Sequence, residues 1–527
     1  MSKRTIQLSQ KALDITGSNL SNAKVEGYTR QRVDIGASYL NKYANWQTRT
    51  SRMALAGQGA IGIGVDQVRD PYIDKRYRES TPLVAEYSTK KDILMEVETV
   101  LDNIATDGLT ESLDTLKHAI SNYAERPDSE ELASIVRNEA FNLTNLLHSY
   151  YTDLEELKET NLESLQASIE DTNNIIQRIV NYNKSIVNEY SAMAMGKKSA
   201  ADSVTGSYGP NEMLDERNLL IDELSYKGKI TVYDNADGSV RILMDGVEII
   251  NGDRYEELYM KSSTKIEGEF SSELLRDYAA YNSAVLRWTS GDDANFSSGE
   301  LKAYVDILNG NGVYAAGYQN DSYGIPYYES AMGAFAQAFG EYMNRFNGAV
   351  NEEGVVINKY RLLFCTQDYN EGTKGYEELD MTMDNIRIAD SWMRNATMIG
   401  EVYDASKDKW TLSLDGNHVN QLVEGLNNDI VDFGGRGDYE GTVYDYLLFI
   451  SNRISQNIDF NQSRYEAAYA TSNSLLDSRD AVSGVSETEE GINMLTYQNW
   501  YNASSRLMTA LDDALDRLIN NTGRVGL

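Results

Sequence analysis

The chain is poor in residues that cross-link, kink or catalyse. Its 527 residues include one cysteine, five prolines and three histidines. The single cysteine, Cys365, cannot form an intrachain disulfide, which leaves life in the cytosol or export without oxidative folding. We interpret Cys365 as a small buried hydrophobic residue. Scarce proline fits long uninterrupted helices, because proline removes a helical hydrogen bond.

Long apolar runs are also missing. No stretch approaches the ~20 apolar residues that a membrane-spanning helix needs, so we expect no membrane contact. Residues 1–10 lack the apolar segment of a cleavable secretory leader, and we expect none here. A chain of this length can bury several cores, which predicts about two to four domains.

Positive charge is in short supply. The sequence has 48 Lys and Arg against 81 Asp and Glu, a net charge of −33. A nucleic-acid surface needs clustered Lys and Arg, so we expect no nucleic-acid partner. Residues 1–80 hold 13 basic and 7 acidic residues, a net of +6, which leaves −39 on the other 447. This segment is either an arm for an anionic surface or, as we favour, a partner for acidic parts of the same protein.

Catalytic and cofactor motifs are weak. Gly57-Gln-Gly59-Ala-Ile-Gly62 has the spacing of a dinucleotide-binding loop. That loop needs a preceding buried strand and a following parallel one, and the flanking sequence offers neither, so flexible glycine turns explain it better. Asp292-Asp293 and Glu489-Glu490 could do acid–base chemistry, but among 81 acidic residues such pairs arise by accident. We expect no enzymatic activity, no cofactor and no metal.

The strongest pattern lies at the C-terminal end. Side chains with alternating three- and four-residue spacing are Met494, Tyr497, Tyr501, Ser504, Met508, Leu511, Leu515 and Leu518. This heptad rhythm is typical of a helix that lays one narrow seam against another helix. Ser486 and Glu489 predict its start as a capping box, and residues 520–523 predict its end. A seam at a chain terminus suggests assembly.

A second terminal helix is predicted over residues 5–23. One stripe repeats every seven residues at Ile6, Leu13 and Leu20, and a second consists of Leu8, Ala12 and Ile15. Polar residues interrupt both stripes, so this helix is a poor core element by itself. It is better suited to a bundle completed by the C-terminal helix or by other chains.

The middle of the chain mixes helix and sheet. We expect irregular or extended chain over residues 24–80, and helices over 91–123 with a break at Asp107 and Gly108. One or two long helices should follow over residues 129–195. A β-hairpin over 229–244 and a strand over 245–250 come next. Helical pattern returns at 329–350 and after Val443.

The predicted fold class is mainly α with a smaller β part. The terminal helices pair as a coiled-coil inner domain, next to a long helical rod domain and a small β-rich outer region. The predicted boundaries are 1–40 with 486–527 for the inner domain; 41–226, 299–363 and 434–485 for the rod domain; 227–298 for the β-rich outer region; and 364–433 for a short outer insert.

Both ends resemble a known family. Residues 12–23, followed by Glu26-Gly27-Tyr28-Thr29-Arg30-Gln31, resemble the N-terminal signature of flagellar axial proteins, the rod, hook and hook-associated proteins. Residues 482–520 are similar to the C-terminal segment of the same group. Three internal blocks, residues 62–78, 213–225 and 298–303, resemble the hook–filament junction branch of that family. The resemblance covers the full length.

The resemblance implies a structural role at the junction between hook and filament, through helical self-assembly of the terminal helices. The protein would be exported to the extracellular flagellum. Its partners would be its own copies in a ring or helical layer, the hook protein, a second junction protein, and an export chaperone at the C-terminal helix. The implied assembly interface is Ile6, Leu13, Leu20, Asn19, Asn22, Gly27, Tyr28, Met494, Tyr497, Tyr501, Met508, Leu511, Leu515 and Leu518.

Two alternatives stay open. A hook or distal-rod protein shares both ends but is not expected to carry the 215–225 block, and an exported enzyme on a flagellar scaffold is the second. The sequence also departs from the family. The family usually has another helical turn before Ile6, which implies a short inner helix or a mis-assigned start here. Only a modest stretch follows Leu363-Phe364-Cys365, which implies a slim outer domain.

Overall fold

A computed structural model describes residues 2–37, 60–105, 108–196, 208–261, 284–316, 319–351, 354–366, 379–433 and 439–520. The fold is mainly α-helical with small antiparallel sheets, which confirms the predicted fold class. Across these ranges, no helix is both long and apolar enough to span a membrane.

Long helices form the frame. The first five are α1 (Ser2–Ser21), α2 (Pro71–Ala105), α3 (Leu109–Glu125), α4 (Glu130–Gly196) and α5 (Asn211–Lys227). The next four are α6 (Glu300–Asn309), α7 (Ile325–Phe346), α8 (Asp390–Arg394) and α9 (Asn417–Asn428). The last two are α10 (Val443–Ser483) and α11 (Glu487–Asn520). Helix α4 is a single helix of 67 residues, about 100 Å long at the usual rise.

The start of α2 corrects the prediction for residues 24–80. We expected no helix before residue 91, but α2 begins at Pro71, where proline is tolerated because the first helical N–H needs no partner. Its first turns bury polar side chains, among them Asp74 and Arg78, in place of an apolar stripe. The predicted break before α3 is confirmed at Gly108, which precedes Leu109; Asp107 lies outside the described residues.

Two strands lie in the region predicted to be irregular or extended, in agreement with the second possibility. Strands β1 (Gln31–Ala37) and β2 (Ala60–Gln67) pair antiparallel, with Val33 opposite Val65. Gly62 lies in β2 and therefore in an antiparallel hairpin, which differs from the parallel arrangement that a dinucleotide loop requires. Gly57 and Gly59 lie outside the described residues.

The remaining strands form small antiparallel sheets. A four-stranded sheet contains β3 (Ile230–Asp234), β4 (Val240–Met244), β5 (Val247–Asn251) and β6 (Arg254–Tyr255) in that order. Two-stranded pairs are β7 (Leu258–Lys261) with β8 (Val285–Trp288), β9 (Phe364–Thr366) with β10 (Ile386–Ile388), β11 (Glu401–Asp404) with β12 (Lys409–Leu412), and β13 (Val431–Phe433) with β14 (Tyr439–Gly441). Short 3-10 helices cover Gly312–Tyr314, Lys359–Arg361 and Ala396–Gly400. The predicted β3–β4 hairpin and the strand after it are confirmed.

Buried apolar side chains form three separate clusters. The first joins α3, the first half of α4, α7, the segment 379–399 and the start of α10. The second joins the next part of α4 to α5 and β3–β8. The third is small and joins α1 to β1 and β2. The predicted insert thus shares its core with the rod helices, and the four-part domain division stays a prediction.

The cysteine and two of the three histidines are held in packing or hydrogen-bond contacts. Cys365 is buried in β9, as predicted. His148 Nε2 lies 2.8 Å from the Ile386 carbonyl oxygen, while His418 stacks on Phe346 and His118 is exposed. Within the described part of the chain, no group of three or more His, Cys, Asp or Glu is placed to hold a metal ion.

A buried arginine fastens the β-rich region to the rod helices. Arg217 of α5 donates hydrogen bonds from Nη1 to Asn183 Oδ1 at 2.9 Å and to the Gly238 carbonyl at 2.8 Å. Asn183 of α4 also accepts a bond from the Val240 N–H and donates to the Gly252 carbonyl. Asn183 of α4 and Arg217 of α5 therefore hold the chain where it enters β4 and where it leaves β5.

Arg217→Ala should loosen this region. The change removes one of the two donors to Asn183 Oδ1 and leaves the Gly238 carbonyl without its donor, which should lower the local free energy of opening of β3 and β4 by about 1–3 kcal/mol. Hydrogen exchange of the β3 and β4 amides measures this. Arg254→Ala in the exposed β6 is the control and should change it by less than about 0.5 kcal/mol; equal effects would contradict the fastening role.

Candidate assembly surface at the chain termini

The two ends of the chain form one structural unit. Asn19, near the end of α1, contacts Glu490 in the first turn of α11. Tyr497, two turns further along α11, packs against the cluster that contains Leu8 and Ile15. The two helices therefore run antiparallel, and the predicted pairing of the terminal helices is confirmed. We call α1, residues 22–30, β1, β2 and α11 the terminal unit.

Asn19 is the polar centre of this unit. Its Nδ2 donates to the Gln31 carbonyl at 2.8 Å and to Glu490 Oε2 at 3.2 Å. Its Oδ1 accepts from the Gln31 N–H at 3.0 Å and from the Tyr28 hydroxyl at 2.9 Å. A buried amide with all four bonds made fixes α1, β1 and α11 in one register, because a buried polar group left unpaired is costly.

An ion pair closes the same site. Arg30 Nε donates to Glu490 Oε1 at 2.8 Å, and its Nη1 donates to Glu489 Oε2 at 2.8 Å. Glu490 is only 2% exposed, and its negative charge sits where the α11 N-terminus presents partial positive charge. The Arg30 backbone N–H also bonds the Ser483 carbonyl at 2.9 Å. The segment before β1 is thereby held to the turn between α10 and α11.

The start of α11 follows the predicted capping box in one of its two bonds. The Glu489 N–H donates to Ser486 Oγ at 3.4 Å, as a capping serine requires. The Glu489 carboxylate binds Arg30 instead of turning back to the cap. The pair Glu489-Glu490, which the sequence suggested was accidental, is therefore structural.

The predicted seam divides into two halves. Met494, Tyr497, Tyr501 and Ser504 are half-buried against the terminal unit. The second half is 40 to 62% exposed: Met508, Leu511, Leu515 and Leu518. Helix α1 has 20 residues and α11 has 34, so the described part of α1 does not reach the last turns of α11. Half of the seam is used within the chain and half is open.

The predicted interface residues of α1 also differ in how exposed they are. Asn19 is buried, whereas Ile6, Leu13 and Asn22 are half-buried and Leu20 is exposed. The stripe that packs inside the terminal unit is Leu8, Ala12 and Ile15. The seven-residue stripe of Ile6, Leu13 and Leu20 therefore lies on a different face of α1 from the stripe that packs inside the terminal unit. Gly27, with φ of +77°, lies against the Leu219 side chain of α5.

Sequence reasoning missed Arg30 and Glu490 as partners. The signal that could have found them is an acidic pair in the first turn of a predicted helix, together with an arginine in the other terminal motif. Opposite charges in two segments already expected to pack together favour an ion pair.

The open half of α11 is an apolar surface. Residues 506–520 are all exposed, and they include Leu507, Met508, Leu511, Leu515, Leu518 and Ile519. Burying a leucine side chain is worth about 1.5–3 kcal/mol, and contiguous exposed apolar residues mark interaction sites. The surface is therefore suited to burial against another helix.

These features define a class of protein: a rod of long helices whose paired ends leave apolar helix faces open for association. Solved structures support this fold. The flagellar hook junction protein FlgK from Burkholderia pseudomallei superposes with a TM-score of 0.55 over 78% of this chain and 100% of that chain, at 10% sequence identity.

Sequence relatives point to the same group. Flagellar hook-associated protein 1 of Bacillus subtilis is 24% identical, over 99% of this chain and 97% of its own length. The Salmonella typhimurium protein of the same name is 20% identical over 98% of both chains. The sequence profile of the flagellar hook-associated protein FlgK helical domain matches residues 94–355. Over nearly its whole length, the chain is similar to the flagellar hook-associated protein 1, or FlgK, family.

Glu490→Ala should open the terminal unit. The change removes the buried partner of Arg30 and one acceptor of Asn19. The free energy of local opening of α1 should fall by about 2–3 kcal/mol, less than for a fully buried pair because Arg30 is partly exposed. Hydrogen exchange of the α1 amides reports this loss.

Glu487→Ala is the matched control, since Glu487 lies in the same helical turn but is exposed. It removes one negative charge from the α11 N-terminus without touching the buried pair. Equal loss of protection in both variants would show that helix-end charge, and not the Arg30–Glu490 contact, holds the unit.

Proposed function

We propose that this chain is a structural component of the bacterial flagellum, that it forms the junction between hook and filament, and that its terminal helices assemble with those of other copies. The half-used seam of α11 carries the proposal. Met494 to Ser504 pack inside the chain, while Met508 to Leu518 lie open. The relatives are named hook-associated and hook junction proteins, which supports the same place of action.

The proposed interface combines the open faces of both terminal helices. On α1 it includes Ile6, Leu13, Leu20 and Asn22, and on α11 it includes Met508, Leu511, Leu515 and Leu518. Asn19, Gly27, Tyr28, Met494, Tyr497 and Tyr501 support these faces from inside the terminal unit. Burial of the open stripes between copies would supply apolar contact that one chain alone leaves exposed.

The proposed partners follow from the position at a junction. Copies of this chain form a ring or helical layer, with the hook protein on one side and a second junction protein on the other. Before assembly, an export chaperone covers the apolar face of α11, residues 506–520. Exposed basic residues of the terminal unit, such as Lys3, Lys24 and Arg32, complement a chain that is otherwise strongly acidic.

A hook or distal-rod role is the alternative within the same family of axial proteins. Agreement with hook-associated protein 1 over nearly the whole length of both chains favours the junction. A non-enzymatic role is part of the proposal. Screening the purified protein for hydrolysis of protein and glycan substrates would reveal an exported enzyme.

A deletion strain tests the junction role directly. Cells that lack this chain should make hooks without filaments and release flagellin into the medium, because the filament has no base to grow from. Electron microscopy of the cells and immunoblots of the medium measure both results. Normal filaments on the hooks, with no released flagellin, would refute the proposal, and immuno-electron microscopy that placed the protein along the hook would favour the alternative.

Leu511→Asp should abolish assembly without unfolding the chain. A carboxylate at the centre of the open seam cannot be buried against an apolar partner without a large penalty. The residue is 49% exposed in the single chain, so the change should cost the isolated subunit no more than about 0.5–1 kcal/mol. Swimming of the complemented deletion strain and circular dichroism of the purified variant measure the two effects.

Leu414→Asp is the control, since Leu414 is 75% exposed but lies in the outer insert. It introduces the same charge at a similarly open leucine and should leave swimming unchanged. Full swimming of the Leu511→Asp strain would exclude the open seam as an assembly surface.

A further inference from the structure

The terminal unit meets the rod helices through a polar joint. Its apolar cluster is separate from the two larger ones. Across the joint, Asn211 of α5 donates to the Val65 carbonyl at 3.1 Å and to Gln31 Oε1 at 3.2 Å. Gln67 Nε2 donates back to the Asn211 carbonyl at 2.9 Å. Directional bonds, and not close-packed side chains, therefore set the angle between the two parts.

Asp215 of α5 lies at the centre of this joint. Its Oδ2 accepts a hydrogen bond from the Thr29 N–H at 3.2 Å, and its Oδ1 accepts one from Gln67 Nε2 at 2.9 Å. Thr29 and Gln67 both belong to the terminal unit, whereas Asp215 belongs to helix α5 of the rod. The carboxylate is 9% exposed. A tilt of the terminal unit would break both bonds and let water reach it.

The neighbouring cations are already engaged. Arg69 Nη1 is 4.0 Å from Asp215 Oδ1, but Arg69 makes shorter bonds to both oxygens of Asp74, at 3.0 and 3.2 Å. Arg479 of α10 binds Asp222 at 2.6 Å and lies 4.0 Å from Asp74. The arginines near the joint are thus paired more closely with Asp74 and Asp222 than with Asp215.

The other ionisable groups at the joint are a cation and two phenols. Arg78 of α2 binds Asp222 at 2.6 Å and does not reach across to Asp215. Tyr28, before β1, interacts with Asp215, and Tyr208, before α5, lies near Tyr28. Burial raises the pKa of the Tyr28 phenol, which therefore carries no charge near neutral pH. The charge of ionised Asp215 is therefore compensated by the hydrogen bonds from Thr29 and Gln67 and by Arg69 at 4.0 Å, against the cost of burying it.

We propose that this joint is a proton-sensitive hinge: the angle between the terminal unit and the rod is fixed when Asp215 is neutral and is loosened when Asp215 is ionised. The inference is independent of the assembly role, because it concerns the single chain. It rests on the position of one buried carboxylate between two separately packed parts.

The direction of the effect follows from linkage. Burial raises the pKa of Asp215 from 3.8 to about 6, against the opposing effects of Thr29, Arg69 and Gln67. In an open joint the group would return to its ordinary range near 3.9. The closed joint then holds the proton more tightly, so acid favours the closed state, and this stabilisation is lost as pH rises from about 4 to about 6. The ratio of closed to open joints can change by at most about a hundredfold across that interval.

Distances across the joint in the full-length chain test the hinge. Spin labels on Thr471→Cys of α10 and Asn499→Cys of α11, in a Cys365→Ala background, span it at two exposed sites. Double electron–electron resonance should give a narrower distance distribution at about pH 5.2 than at about pH 7.5, since the ratio of closed to open joints falls about sevenfold between these values and changes little above about pH 7. The lower value stays above the isoelectric point of about 4.5.

Asp215→Asn is the decisive variant. It keeps the shape and removes the titration, so its distribution should be narrow at both pH values. A label pair within the rod, Glu111→Cys with Thr471→Cys, controls for general pH effects and should not change. An unchanged wild-type distribution, a broadening on acidification, or the wild-type pH response in Asp215→Asn would each overturn the hinge.

Discussion

The contact between Asn19 and Glu490 joins two points that lie 471 residues apart in the sequence. Closing so long a loop has an entropic cost that the small terminal cluster could not offset alone. The packing of the rod helices also offsets this cost. Helices α2 and α10 pack side by side, and Arg479 at the end of α10 reaches Asp74 at the start of α2. The rod thereby delivers both chain ends to one place, where Asn19, Arg30 and Glu490 lock them.

The terminal unit buries only a small apolar core within the single chain. Its buried apolar set is five residues, Leu8, Ala12, Ile15, Val33 and Val65, whereas the rod clusters bury dozens. Such a small core gives little stability by itself, and the hydrogen bonds of Asn19 and the Arg30–Glu490 ion pair fix its register instead. Association with other copies would then add the apolar burial that the single chain lacks.

Helices with a periodic apolar pattern could be predicted from the sequence, whereas elements held by ion pairs between residues far apart in the sequence could not. The heptad spacing from Met494 to Leu518 predicted α11, and Gly108 marked the break before α3. The start of α2 was missed because Asp74 and Arg78 carry no apolar period. They are stabilised by Arg69, Asp222 and Arg479, and the last two lie well over a hundred residues away. The Arg30–Glu490 pair was missed for the same reason.

The block 213–225, which resembles the junction branch of the family, lies where the terminal unit meets the rod. It contributes Asp215 to the hydrogen bonds with Thr29 and Gln67, Leu219 to the contact with Gly27, and Asp222 to the ion pairs with Arg78 and Arg479. In the proposed assembly the terminal helices make the contacts between copies, and this block holds the terminal unit to the rod. Such an assembly requires each copy to present its terminal helices at a defined angle. Residues that set this angle are therefore where a junction protein should differ from other axial proteins.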